Sequence, residues 1–180
     1  MSLLLLTGIM VLGLLARMRF ATDRWPRFLS AAVHRDLALM TLVFLGLHIV
    51  TAVVDPFTHL GLVAATVPFG SYYRTFWLGL GTISFELMLA IIVTSLLRPR
   101  IGARLWRGIH WLAYAAWPLA VFHGFGTGTD AFSLWLLAIT VVCVTAVAVA
   151  VSWRLVGAPS GPLTADQRAA MAGAAPGPRR

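Results

Sequence analysis

The chain has 180 residues, 59% of them hydrophobic and 11% charged, with a mean hydropathy of +0.86. That balance excludes a disordered chain and argues against a soluble domain, because too few polar side chains remain to cover a water-facing surface. All 14 basic residues are arginine and outnumber six acids to give a net charge of +8, an excess that in a membrane protein reports topology rather than nucleic-acid binding.

A spanning helix takes about 20 mostly apolar residues, and five segments meet that requirement, near 2–18, 33–54, 75–97, 105–125 and 131–153. The expected fold class is all-α: an integral membrane bundle of about five transmembrane helices over residues 1–154. The first segment opens at Ser2 without a positive leader, and Arg17 and Arg19 follow its apolar run, so it reads as a retained anchor and not as a cleaved signal. Arg17, Arg19, Arg24, Arg27 and Arg35 surround the first connection, Arg98, Arg100, Arg104 and Arg107 the third, and Arg154 follows the fifth segment, whereas Arg74 stands alone on the other side. Positive charge retained in the cytoplasm then places the N-terminus outside and the C-terminus inside. Tyr72, Tyr73, Trp77, Trp106 and Trp153 fit an interfacial aromatic belt. The loop 55–74 is apolar, carries two prolines, and is expected to fold back on the bundle or lie along the interface. His59 in this loop reads as a solvated or interfacial side chain. The Gly-, Ala- and Pro-rich stretch 155–180 is expected to be a disordered cytoplasmic tail.

Cys143 is the single cysteine, so the sequence holds no CxxC metal pair and no CxxCH haem attachment. Histidine is the remaining ligand type. His34 and His48 lie 14 residues apart on the second segment, and His110 and His123 lie 13 apart on the fourth, which at 1.5 Å per residue is about 21 Å and about 19.5 Å along the helices. Both segments run in the same direction across the membrane, so His34 shares a depth with His110 and His48 with His123. Ionisable groups in spanning segments are costly and mark function by default, and neutral imidazoles on facing helices suit haem iron. Two haems, each held by two histidines, would form a wire for electrons. Two alternatives stay open: a histidine-based proton or metal-ion transporter without haem, and a gas-binding haem protein with an open axial position.

At about 100° per residue, 14 positions return to within roughly 40° of the same face, but 13 positions miss it by roughly 140°. Pro118 lies between His110 and His123, and a proline that removes a backbone donor is expected to retwist this helix so that both rings meet the same partner.

The runs HRDLALMTLVFLGLH and HWLAYAAWPLAVFH, with a preceding LLRPRIGARLWRGIH, resemble the ferric reductase-like transmembrane domain shared by ferric reductases, NADPH oxidases and the haem subunit of the bacterial methionine sulfoxide reductase system. The similarity covers roughly residues 1–153. It implies two stacked b-type haems, the inner held by His34 and His110 and the outer by His48 and His123. It implies electron flow from a cytosolic flavin-containing or other reductase to an outer acceptor, whether ferric iron, quinone, oxygen or a periplasmic redox protein. No GxGxxG is present, so the donor is expected to be a separate protein. The chain then serves as the electron-transfer subunit of a membrane oxidoreductase in a bacterial plasma membrane, with lipid but no nucleic acid among its partners.

Arg35, Arg104 and Arg107 adjoin the inner histidines and are candidates to hold haem propionates, with ordinary positive-inside charge as the plainer explanation. Glu86, the one acid in the middle of a spanning segment, should be protonated, paired or exposed to a polar cavity. Phe44, Tyr114 and Trp117 lie between the histidine levels, where they can pack against haems or simply in the core. Gly46, Gly79 and Gly81 offer places for close approach.

Overall fold

A computed structural model describes residues 1–17, 27–56, 60–128 and 130–156. His59, Arg19, Arg24 and the tail beyond 156 lie outside the described residues. Among the described residues all regular structure is helical: α1 (Ser2–Arg17), α2 (Arg27–Val54), α3 (Leu62–Thr66), α4 (Thr75–Leu96), α5 (Arg98–Ile101), α6 (Ala103–His110), α7 (Ala113–Thr127) and α8 (Leu134–Val156).

Helices α2, α4 and α8 are long and apolar enough to cross a membrane. The protein is therefore an all-helical membrane protein, and three of the five expected segments are single helices of spanning length among the described residues. The first expected span coincides with α1, whose described 16 residues are apolar and extend about 24 Å at 1.5 Å each. The fourth expected span is described as two consecutive helices, α6 and α7, joined by a tight turn at Trp111–Leu112.

The hydroxyls of these apolar helices are satisfied locally. Thr41, Thr94, Ser95, Thr127 and Thr140 each donate to the carbonyl one turn back, so they add little polar surface to the helix exterior. Helix α4 ends where Pro99 enters the first turn of α5, and Gly102 separates α5 from α6 at φ 79°, a left-handed backbone that glycine adopts without strain.

Helix α1 is the bridge of the bundle, packing on α2, α8 and α7, while α4 packs on α7, α6 and α3. The core joins Met10 and Leu14 of α1, Trp117 and Val121 of α7, and Cys143, Val147 and Ala150 of α8. One buried polar contact locks this junction: Trp117 Nε1 donates to Thr7 Oγ1 at 3.0 Å. Of the two expectations for the loop 55–74, folding back is the one observed. Thr82 Oγ1 of α4 donates to the Ala64 carbonyl at 2.8 Å, and Leu60 and Ala64 are buried.

Candidate cofactor site formed by two histidine pairs

The four histidines come together pairwise at two levels. The ring centroids of His34 and His110 are 6.2 Å apart, and those of His48 and His123 are 6.1 Å apart. His34, His110 and His123 are half-buried, and His48 is exposed beside a cavity of about 800 Å³. Residues of α1, α2, α4 and α7 line that cavity, including Leu6, Leu45, Leu78, Gly81 and both rings of this pair; its size falls in the range of small-molecule and cofactor sites. Among the described residues no group of three or more His, Cys, Asp or Glu converges, so a bare metal ion with an all-protein shell is not offered a site. Two opposed imidazoles are a different donor set. A metal–imidazole nitrogen bond of about 2 Å on each side, with roughly 1.1 Å from nitrogen to ring centre, gives centroids about 6.3 Å apart. Each pair can thus hold one metal whose remaining positions are filled by a planar macrocycle.

The 13-residue spacing is accommodated by a tightened turn rather than by a kink at Pro118 itself. Trp111, Leu112, Tyr114 and Ala115 each donate to the carbonyl three residues back, as in a 3₁₀ turn. Each such residue turns about 120° instead of about 100°, so four of them recover about 80° of the roughly 140° shortfall. Pro118 remains inside α7, and it offers no N–H to the Tyr114 carbonyl while its ring crowds that group. The resulting strain is relieved in the turn N-terminal to Pro118, where the tight hydrogen bonds occur. From α8, Arg154 donates to the Tyr114 hydroxyl and sits 5.1 Å over the Trp111 ring, bracing the same turn.

Behind the ligand side chains, His123 Nδ1 lies 3.0 Å from the Trp77 carbonyl. A carbonyl only accepts, so this bond requires the proton on Nδ1 and leaves the Nε2 lone pair free. Its ring rests directly on Gly81, where a Cβ would come within 2.6 Å of Cε1. On the other pair, the His34 ring rests on Gly13 of α1, with 3.4 Å from a built Cβ to Cε1. It lies beside the Ile9 carbonyl, yet the Nδ1 atoms of both His34 and His110 are buried without a completed hydrogen bond. Trp106 packs against His110 with ring centroids 5.0 Å apart, donates to Ser95 Oγ, and carries the Arg98 guanidinium 4.3 Å over its own ring.

The remaining expectations fare unevenly. Arg35 is exposed and bonded to Asp36 at 3.2 Å, and Arg104 and Arg107 are exposed. Trp117 belongs to the core and not to the space between histidine levels, Phe44 is exposed, and Tyr114 is the acceptor for Arg154. Trp77 and Trp106 contact the histidine-bearing segments beyond any role in a belt. Gly79 and Gly81 allow close approach, to Phe69 and His123, but Gly46 has nothing within 4 Å. Glu86 lies on an exposed side of α4, with no hydrogen bond or ion pair among the described residues.

Comparison with curated proteins and with solved structures gives no match. A family comparison does: residues 1–121, more than half of the chain, match the ferric reductase like transmembrane component. With paired histidines on facing helices of an apolar bundle, and with this match across α1 to α7, the chain belongs to the ferric reductase-like transmembrane family and is a membrane redox component.

Proposed function

We propose that this chain is a two-haem b-type membrane cytochrome that conducts electrons from a separate cytosolic reductase to an acceptor on the opposite side. The observation that carries this reading is the pair of centroid separations, 6.2 and 6.1 Å, at two depths on the same two helical segments. Haem, when bound, supplies a one-electron couple at each depth. His34 and His110 hold the inner position and His48 and His123 the outer one. With both protein ligands engaged, a haem held by either pair would supply electron transfer in preference to gas binding. The His123–Trp77 bond turns Nε2 toward the metal position. Exposed Arg35, Arg104 and Arg107 lie on the inner side, where they attract anionic groups such as propionates, lipid headgroups or an acidic donor.

The test is a reduced-minus-oxidised spectrum with a haem-to-protein ratio on the purified chain. The expected ratio is near two, with low-spin b-type bands that carbon monoxide leaves in place. His48→Ala and His123→Ala should each remove one haem and spare the other. A colourless protein from haem-replete cells would overturn the reading in favour of an ion pathway.

A further inference from the structure

The two histidine pairs are not equivalent, and the difference lies in the backbone behind the rings. Helix α4 carries no ligand, yet it presents Trp77 and Gly81 one turn apart to the back of His123. In a helix the carbonyl of residue 77 accepts from the N–H of residue 81, so its second lone pair is the one available to a side chain. Any residue larger than glycine at 81 would cover that lone pair, because a Cβ there would lie 2.6 Å from Cε1 and 2.8 Å from Cγ of the ring. Helix α1 repeats the arrangement at the other level, with Ile9 and Gly13 one turn apart behind His34. There the contact is looser, at 3.4 Å, and Nδ1 completes no bond.

We infer that the Trp77 carbonyl and the Gly81 notch are positioning elements for His123, setting its tautomer and raising its basicity at the outer haem more than the looser Ile9–Gly13 arrangement does at the inner one. This inference rests on the two-haem reading. An imidazole whose Nδ1–H is engaged by a carbonyl is held in one orientation and is a stronger donor through Nε2. Stronger donation favours the oxidised metal, so this bond lowers the outer potential relative to the same site without it. The inner pair receives a weaker bias, because His34 lies beside the Ile9 carbonyl without completing a bond through Nδ1 and His110 Nδ1 has no partner among the described residues.

The decisive comparison is Gly81→Ala against Gly13→Ala and Gly124→Ala in the haem-loaded full chain. Gly13→Ala meets the ring at ordinary contact distance, and Gly124→Ala meets nothing within 4 Å although it adjoins His123. In Gly81→Ala the outer haem should shift toward a high-spin spectrum or rise in midpoint potential, by about a tenfold change in its one-electron constant, which is 59 mV. The inner haem and both control variants should keep the wild-type spectrum and potential. A second readout needs no variant to fold: in ¹⁵N-histidine-labelled ferrous wild type, the His123 Nδ1 proton should be present and slow to exchange into deuterated solvent. An unchanged outer haem in Gly81→Ala, an equal change at both haems, or a rapidly exchanging His123 Nδ1 proton would overturn the inference. Each of these results leaves a two-haem wild type intact, whereas a haem-free wild type removes the parent reading instead.

Discussion

Among the described residues, helix α1 packs on α2 and also on α7 and α8, so the gap between the histidine pairs depends on how firmly α1 is held. Trp117→Phe perturbs that grip at one buried point. The substitution deletes the indole N–H that donates to Thr7 Oγ1 at 3.0 Å, in a place where Trp117 is 8% and Thr7 7% exposed. A hydrogen bond between helices of a membrane bundle is worth about 0.6 to 1.7 kcal/mol. The phenyl ring is smaller than indole by about 35 Å³, and at ~24 cal/mol per Å³ of unfilled space this adds about 0.8 kcal/mol. The expected loss is about 2 kcal/mol, measured by reversible unfolding in detergent micelles. A double-mutant cycle with Thr7→Val isolates the bond itself and should give a coupling of about 0.6 to 1.7 kcal/mol. The same variant should broaden the low-spin spectrum of bound haem, because a looser α1 lets His34 and His48 drift from their partners. A coupling below about 0.3 kcal/mol would refute the idea that this contact holds the junction.

Two further outcomes follow from close approach and backbone geometry. Gly126→Ala places a Cβ inside the Trp77 indole, so it should destabilise the protein by about 1–3 kcal/mol or more, whereas Gly124→Ala, which meets nothing, should be near neutral in the same unfolding assay. Gly102→Ala puts a Cβ on a residue at φ 79° and ψ 156°, a region almost reserved for glycine, and should cost about 1–3 kcal/mol. An unfolding midpoint equal to wild type would show that the α5–α6 joint tolerates reorientation.

Much of the bundle was legible because its signals are local and periodic. Apolar runs located α2, α4 and α8 to within a few residues, except at the start of α2, which begins at Arg27 instead of 33. The pairing of His34 with His110 and His48 with His123 followed from equal depth alone. What could not be read was how the 13-residue spacing is reconciled, since Pro118 announces a disturbance but the strain relaxes at Trp111–Ala115, one turn earlier. Nor does hydropathy show the tight turn at Trp111–Leu112 that divides the fourth apolar run into α6 and α7. The backbone partner of His123 was hidden for another reason: a carbonyl belongs to every residue, and only Gly81 in FWLGLG hinted at a close approach. Trp106 and Trp77 were assigned by residue type to the membrane boundary, whereas their neighbours on other helices decide what they touch.

The bridging place of α1 also bears on how the protein is made. Contacts between α1 and α2 join segments close in sequence, and so do those among α4, α6 and α7, whereas the α1–α8 contact must wait for the last helix to emerge. Ribosomal synthesis therefore delivers α1 with α2, and α4 with α6 and α7, as local units that the α1–α7 contact can join, before the last helix adds its packing against α1.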